Sequence, residues 1–318
     1  MSGRARYVAT RVALTVPTLL AMTVFVFLLI HLVPGDPVRT MLGFRATPEN
    51  VRVIRHELGL DRPLVSQYFS WLGGLLRGDL GQDYISREPL TQLLRERIPV
   101  TLELTVASMA LALLVGVPLG VVAASGRRFG KVTASVFTIA GISMPDFWLG
   151  TLLVLVFAAK LGWLPPTGYV PLTAHPLENV RYMTLPVLTL AIGEAAYILR
   201  TTRASMQETM GRPFVTFLRA KGLRRHAIVY RHALRTASLP IVTVAGIQFG
   251  VLLGGAIVVE TLFGLPGVGK LVVTAINQRN YTVVQGSVLV IAALFILVNL
   301  ATDLLYGLLN PRLGGERA

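Results

Sequence analysis

Long apolar runs, repeated along the chain, constrain its fold more than any other feature. A helix needs about 20 mostly apolar residues to cross a bilayer, where its backbone polar groups must bond to one another. Six such runs lie at residues 12–33, 101–124, 132–161, 185–199, 239–262 and 283–305. Only 14% of the 318 residues are charged, whereas a soluble domain would have about a quarter. The sequence therefore predicts an all-α polytopic membrane protein with six transmembrane helices.

Polar segments between these runs give the domain organisation. Residues 1–33 are predicted to form the N-terminus and an uncleaved first helix, and residues 34–98 an external insertion with nearly balanced charges. Residues 99–309 are predicted to form a five-helix core with a cytoplasmic connection at about 200–238. Residues 310–318 would be a cytoplasmic tail. Because the short loops placed in the cytoplasm are basic, the positive-inside rule puts both termini there.

The net charge of +14 is concentrated in the connection between the fourth and fifth runs. Its basic residues are Arg200, Arg203, Arg212, Arg219, Lys221, Arg224, Arg225, Arg231 and Arg235, and Glu208 is its one acid. This location indicates membrane orientation and argues against nucleic acid as a partner. The connection is also the largest surface that the chain offers to a soluble cytoplasmic partner, although fixing the topology could be its only role.

A few polar residues interrupt the apolar runs and are candidates for a transport path. Ionisable groups in a membrane are costly, so they usually face a protein interior or a water-filled path. The candidates are Asp146, Glu194, Glu103, Glu260 and Gln248. For Glu103 and Glu260 the alternative is an interfacial carboxylate paired with an arginine, and for Asp146 and Glu194 it is helix packing. Asp303, near the inner end of the last run, is expected to pair with an inner arginine.

Two glycine patterns predict structure, not chemistry. Gly246, Gly250 and Gly254 repeat every fourth residue, which is typical of a close helix–helix contact. The stretch GLPGVGK at 264–270 has the spacing of a nucleotide-binding loop, but Leu271 stands where such a loop needs Ser or Thr, and no strand precedes it. We interpret it as a tight turn.

The sequence contains no convincing catalytic or metal-binding constellation. Its five histidines never fall at metal-ligand spacing with a carboxylate, and no serine lies in a G-x-S-x-G context. Cysteine is absent, which excludes disulfides and thiolate metal sites. We therefore expect no metal site and no enzymatic activity on this chain.

Several longer motifs together resemble one known family over essentially the whole chain. They include PTLLAMTVFVFLLIHLVPGDPV, LGLDRPLVSQYFSWLGGLLRGDLG, SMPDFWLG, LGWLPPTGY, YRHALRTASLP, FGLPGVGKLVVTAI and NLATDLLYGLLNPRL. These motifs are similar to those of the dipeptide, oligopeptide and nickel permeases of bacterial ATP-driven (ABC) importers. Among these permeases, the long insertion after the first helix resembles the B-type subunit.

The resemblance implies a type I ABC importer permease fold and a set of partners in the bacterial inner membrane. The expected partners are a homologous second permease, two ATPase subunits, an extracytoplasmic substrate-binding protein and membrane lipid. ATP and magnesium would be bound by the ATPases, with no cofactor on this chain. The implied substrates are di- and oligopeptides, with nickel or a metal chelate as the alternative. A membrane scaffold or receptor without a transport path, and a stand-alone secondary transporter, are the remaining alternatives.

The resemblance also implies a short coupling helix that docks on the ATPase. The family's EAA-like motif aligns with Thr216, Phe217, Leu218, Arg219, Ala220, Lys221 and Gly222. Here Thr216 replaces the acid of the motif, and Phe217 and Leu218 replace small residues. We expect Phe214 and Phe217 to fill an apolar cleft on the ATPase, Arg219 and Lys221 to meet its polar rim, and Gly222 to end the helix.

Overall fold

The structure is a computed structural model that describes residues 3–32, 37–42, 46–57, 59–124 and 128–309. The predicted tail at 310–318 lies outside the described residues. The helices are α1 (Gly3–Leu32), α2 (Pro37–Leu42), α3 (Pro48–Glu57), α4 (Leu64–Leu76), α5 (Leu90–Ala124), α6 (Arg128–Ser143), α7 (Asp146–Leu153), α8 (Pro176–Met210), α9 (Pro213–Ala220), α10 (Arg225–Ala227), α11 (Leu234–Phe263), α12 (Val268–Asn277) and α13 (Tyr281–Leu309). A π-helical segment, Val154–Lys160, extends α7, and a second one, Ile228–Ala233, joins α10 to α11.

Within the described residues, five helical stretches are long and apolar enough to cross a membrane. They are Ala9–Leu28, Leu90–Ala124, Pro176–Met210, Arg225–Phe263 and Tyr281–Leu305. A sixth span is formed if α6 and α7 are counted together, although their axes meet at 105°. The predicted number of six transmembrane spans is therefore reached. The third span, predicted as one continuous run at 132–161, is broken between Ser143 and Asp146.

Helix α8 is the most buried of the five long spans and forms the centre of the chain. It packs along α5, α11, α6 and α7. Gly116 and Gly120 of α5 allow the closest approach, because a Cβ at either position would collide with Ile198 or Thr202 of α8. The helix extends well beyond the predicted run at 185–199 and reaches Met210. This span therefore continues as a helix into the basic connection.

Helix α5 begins at Leu90 and not near residue 101. Residues 90–98 of the predicted external insertion are therefore helical and continuous with the second span. Arg95, Glu96 and Arg97 make residues 90–98 look like a polar loop. However, the apolar positions among them have helical spacing. These positions, at Leu90, Leu93 and Leu94, are buried against α12 and α13.

Helices α1 and α13 lie at the periphery of the bundle. Arg11 of α1 forms a 3.1 Å ion pair with Asp303 of α13, which confirms that Asp303 pairs with an inner arginine. Helix α13 packs in turn on α11. A Cβ on Gly246 would overlap Thr302 of α13.

The third predicted packing glycine of α11 does not contribute to this contact. A Cβ on Gly250 would overlap Phe295 of α13, but one on Gly254 would have no atom within 4 Å. Each step of four residues turns about 40° past a full turn of the helix. By the third glycine, the stripe has therefore rotated away from α13. Gly254 lies instead on an exposed face of α11.

Hydrogen bonds attach the described part of the insertion to both α1 and α13. Helix α4 lies beside α1, where Tyr68 and Thr23 share a 2.9 Å hydrogen bond and the rings of Tyr68 and Phe27 meet at 5.4 Å. The segment before α5 is attached to the start of α13. There Asn280 donates a hydrogen bond to Asp83 and Thr282 donates one to Tyr84, both at 2.5 Å.

Candidate functional site

The break between α6 and α7 positions the first residue of the candidate site. Pro145 has no N–H, and its ring disfavours a helical conformation at Met144. Pro145 itself adopts an extended conformation (φ −64°, ψ 139°), and α7 starts immediately after it. Asp146 consequently lies in the first turn of α7, where the helix dipole favours a negative charge.

Three of the five predicted path residues come together at this break. Gln248 of α11 donates a 2.9 Å hydrogen bond to the carboxylate of Glu194 on α8, which is only 7% exposed. Asp146 is half-buried and close enough to Glu194 for their charges to interact. Among the described residues it has no hydrogen-bond partner. Its carboxylate lies beside Gly193 and Gly255, within 3.6–3.8 Å of where their Cβ atoms would be.

This cluster has the chemistry of a polar site inside an apolar bundle. Glu194 is bonded by a neighbour, whereas Asp146 keeps its acceptor sites free within the described chain. Because Gly193 and Gly255 carry no side chain, the space beside the carboxylate stays open. Such a group can accept hydrogen bonds from an ammonium or amide N–H, and ionisable residues at such depth are typical of substrate paths.

Glu260 lies elsewhere and has internal partners. It is fully buried and accepts hydrogen bonds from the Thr101 hydroxyl at 2.6 Å and from the Lys270 N–H at 2.9 Å. The Thr101 oxygen accepts a further bond from the Val268 N–H at 2.9 Å. Glu260 therefore ties α5, α11 and the start of α12 together.

The glycines of the GLPGVGK stretch make this arrangement possible. A Cβ on Gly267 or Gly269 would overlap the Glu260 carboxylate. Helix N-termini attract anions because their first N–H groups are unpaired and the dipole is positive there. An internal carboxylate thus occupies the place where a nucleotide-binding loop would hold a phosphate. This explains physically why the motif has the appearance of such a loop.

Glu103 also has partners that the sequence analysis did not identify. Asn179 donates to it at 2.6 Å and the Tyr169 hydroxyl donates at 2.8 Å. Asn179 also donates to the Val170 carbonyl at 2.8 Å. Burial raises the pKa of Tyr169 to about 12, and the hydrogen bond to Glu103 and its charge add to the effect. Glu103 thereby fixes the loop before α8.

Within the part of the chain that the structure describes, neither of these two carboxylates forms an ion pair with an arginine, although Arg97 is close enough to Glu260 for their charges to interact. Their side-chain hydrogen-bond donors are hydroxyl and amide groups far away in the sequence. Thr101 is 159 residues from Glu260, and Asn179 is 76 residues from Glu103. No local pattern could have revealed either pair.

The predicted coupling residues lie on and just after α9, beyond the C-terminal end of α8. Pro213 occupies the first turn, and Gly222 (φ +77°) follows the last turn in the left-handed conformation common after helices. Val215 is fully buried, and α9 packs on the π-helical segment that begins at Ile228. One face of the short helix therefore anchors it to the bundle.

The opposite face of α9 is open. Phe217 is 58% exposed, and the ammonium of Lys221 lies 4.5 Å from the centre of its ring. Thr216, Arg219, Ala220, Lys221 and Gly222 are exposed as well, whereas Phe214 is half-buried. The surface combines an aromatic side chain with basic groups, which suits a partner with an apolar cleft and a polar or acidic rim.

Comparison with known families assigns the chain. The family model described as binding-protein-dependent transport system inner membrane component matches residues 116–315, and the model of its N-terminal region matches residues 4–105. The chain belongs to this family. It is therefore a multi-pass membrane permease component of an ABC transport system, and not an enzyme. Such a component works with an ATPase and a substrate-binding protein.

Individual relatives match over nearly the whole length. The glutathione transport system permease protein GsiC of Pectobacterium atrosepticum is 41% identical over 310 residues, which cover 96% of this chain and 97% of that protein. The di/tripeptide transport system permease protein DppB of Pseudomonas aeruginosa is 40% identical over an alignment of 336 positions, which covers 98% of this chain and 99% of that protein.

A solved structure supports the fold. The chain is similar to one of the inward-facing MetNI methionine ABC transporter, with a TM-score of 0.58 and 20% identity. The match covers 70% of this chain and 99% of that one. The predicted all-α importer permease fold is confirmed.

Proposed function

We propose that this chain is the B-type permease subunit of an ATP-driven importer that carries di- and oligopeptides across the bacterial inner membrane. One observation carries the proposal: the chain aligns end to end with permease proteins named for glutathione and for di- and tripeptides. All of these named substrates are short peptides. The family membership supports import that depends on a substrate-binding protein.

The exposed face of α9 supports a role in ATPase docking. Phe217 would enter an apolar cleft of the ATPase, while Arg219 and Lys221 would contact its rim. Movement of the ATPase would then pass from α9, through buried Val215, to the π-helical segment and on to α11. In this proposal two ATPase subunits bind the ATP and magnesium, and this chain contributes no catalytic residue.

The exposed face of α11 supports an interface with a homologous second permease. Ile247 and Val251 are each 56% exposed, and bare Gly254 continues the same side of the helix. A helix of the second subunit could approach closely at that glycine. The path would then run between the subunits, with Asp146, Glu194 and Gln248 on the wall that this chain provides.

The orientation follows from the charges. The basic residues around α9 and Arg11 near the N-terminus support a cytoplasmic location for that end of the bundle and for both termini. The insertion and the loop before α8 then face outward, where the binding protein delivers substrate.

The test is uptake in a strain that lacks this gene, compared with the same strain carrying it. Labelled dipeptide, labelled tetrapeptide and nickel are offered separately. We expect restoration of peptide uptake, and the preferred length will distinguish dipeptide from oligopeptide import. Restoration of nickel uptake alone would overturn the peptide assignment and leave the fold and the docking proposal intact.

A further inference from the structure

A cavity lies near the N-terminal end of α8, and none of the residues that line it belongs to the cluster of Asp146, Glu194 and Gln248. Its volume is about 350 Å³, within the range of sites for small ligands. One wall is formed by Ala158, Leu164 and Pro165, and the other by the first two turns of α8. The cavity lies at the N-terminal end of α8, so the 35 residues of that helix separate it from the coupling end.

The polar groups of this cavity are one acid, one base and one phenol. Glu178 and Arg181 are exposed and Tyr182 is half-buried. Residues three apart on a helix share a face, with their Cβ atoms about 5–6 Å apart. Nevertheless, within the described residues, Glu178 and Arg181 form no ion pair with each other, and neither has a hydrogen-bond partner. Opposite charges therefore line one cavity without neutralising one another.

The cavity walls are held by bonds that do not involve these groups. The N–H groups of Trp163 and Leu164 donate to the Phe157 carbonyl at 2.9 and 3.3 Å, which fixes the turn after the π-helical segment. On the other side, the ring of Tyr182 packs against Gly168. The space is thus formed before any ligand arrives, and this preorganisation lowers the cost of binding.

We propose that this cavity is an outer receiving site for a zwitterionic dipeptide. The Glu178 carboxylate accepts hydrogen bonds from the peptide ammonium, and the Arg181 guanidinium donates to the terminal carboxylate. Two extended residues span about 7 Å, which matches groups three positions apart on a helix. Leu164, Pro165 and the ring of Tyr182 cover the peptide side chains. This assignment rests on the proposed peptide import and names where the substrate first contacts the chain.

The test uses the complete permease–ATPase complex in nanodiscs without the binding protein. The probe is p-benzoylphenylalanyl-alanine, a photoreactive free dipeptide, and its attachment points are mapped by mass spectrometry. Alanyl-alanine, its N-acetyl derivative and its C-terminal amide serve as competitors. We expect labelling within residues 158–182. We also expect the free dipeptide to compete about three- to tenfold better than either blocked form, as for solvent-exposed charge-assisted hydrogen bonds.

Two variants separate recognition of charge from a general structural effect. Glu178→Gln should no longer prefer the free dipeptide to the N-acetyl form but should still prefer it to the amide. Arg181→Gln should still prefer the free dipeptide to the N-acetyl form but should no longer prefer it to the amide. Arg77→Gln, which changes an exposed arginine outside the cavity, should keep both preferences. Labelling outside residues 158–182, no labelling, or equal loss of both preferences in each variant would overturn the proposal. If one of these contrary results is obtained and the complex still imports peptides, only the receiving site is wrong. The proposed function itself is tested by the uptake experiment in the strain that lacks the gene.

Discussion

The hydroxyl of Thr101 offers the sharpest test of how the outer half of the bundle is held. Thr101 is 1% exposed and Glu260 is fully buried, so neither can replace a lost partner with bulk water. Thr101→Val keeps the shape of the side chain but removes the 2.6 Å donor to the carboxylate and the 2.9 Å acceptor of the Val268 N–H. The first bond is charge-assisted, at about 1.5–3 kcal/mol, and an orphaned buried N–H costs about 1–3 kcal/mol.

These two losses add up to a destabilisation of about 2.5–6 kcal/mol. Unfolding entropies of about 2.1 cal/mol/K per residue give about 0.7 kcal/mol/K for 318 residues, so Tm should fall by about 4–9 °C. The assay is a thermal scan of the purified permease in nanodiscs at one fixed heating rate, because membrane proteins often unfold irreversibly. Thr101→Ser is the matched control, since it retains the hydroxyl. Equal melting temperatures for the Val and Ser variants would refute the argument that Thr101 bridges three helices.

Four further predictions concern the coupling helix, the glycine loop, the path and the outer loop. Phe217→Asp should abolish co-purification with the ATPase while membrane insertion persists, and Phe217→Leu should retain it; normal uptake by the Asp variant would remove α9 from the docking surface. Lys270→Ala loses only the 3.2 Å bond to the Gly264 carbonyl, so nucleotide binding by the complex should be unchanged in a fluorescent ATP titration. Glu194→Gln should reduce peptide uptake by about tenfold at equal expression, because the proposed path loses a carboxylate but keeps a side chain of the same shape beside Gln248. Undiminished uptake would exclude a path role. Because the pKa of Tyr169 is raised to about 12, its protonated form is favoured in the folded state, and the associated stability is lost between about pH 10 and 12. An absorbance titration at 295 nm should show a tyrosine ionisation near pH 12 that is missing from Tyr169→Phe. An identical titration curve for the variant would contradict the assignment.

The proposed mechanism links two polar features at different depths of the same bundle. The coupling face of α9 sits at one end of α8, and the cluster of Asp146, Glu194 and Gln248 sits where α7, α8 and α11 meet. Helix α11 serves both, since it continues from the π-helical segment under α9 and carries Gln248. π-Helical segments, with their i→i+5 hydrogen bonds, occur frequently at functional sites. A displacement of the segment Ile228–Ala233 would therefore move α11 and Gln248 in the cluster.

Local sequence features determined the number of spans and the residue that ends α9, whereas the position of the proposed coupling helix came from the resemblance to the permease family. Apolar runs of bilayer length, the basic connection and Gly222 depend only on neighbouring residues and on the solvent that each stretch requires. The pairing of Asp303 with an arginine could also be predicted, because the positive-inside rule puts the ends of the first and last apolar runs on the same side. The same reasoning identified Asp146, Glu194 and Gln248 as unusual, although not as neighbours.

The tertiary structure decided which polar residues meet and which glycines pack. Glu103 and Glu260 look like Glu194 in the sequence, yet their partners fix loops and helix ends because distant segments deliver hydroxyl and amide donors to them. Gly254 looks like Gly246, but the slow rotation of a four-residue stripe turns it away from α13. Periodicity records which residues share a face of one helix. What lies opposite that face depends on how the helices cross, and that arrangement is set only when the whole bundle is assembled.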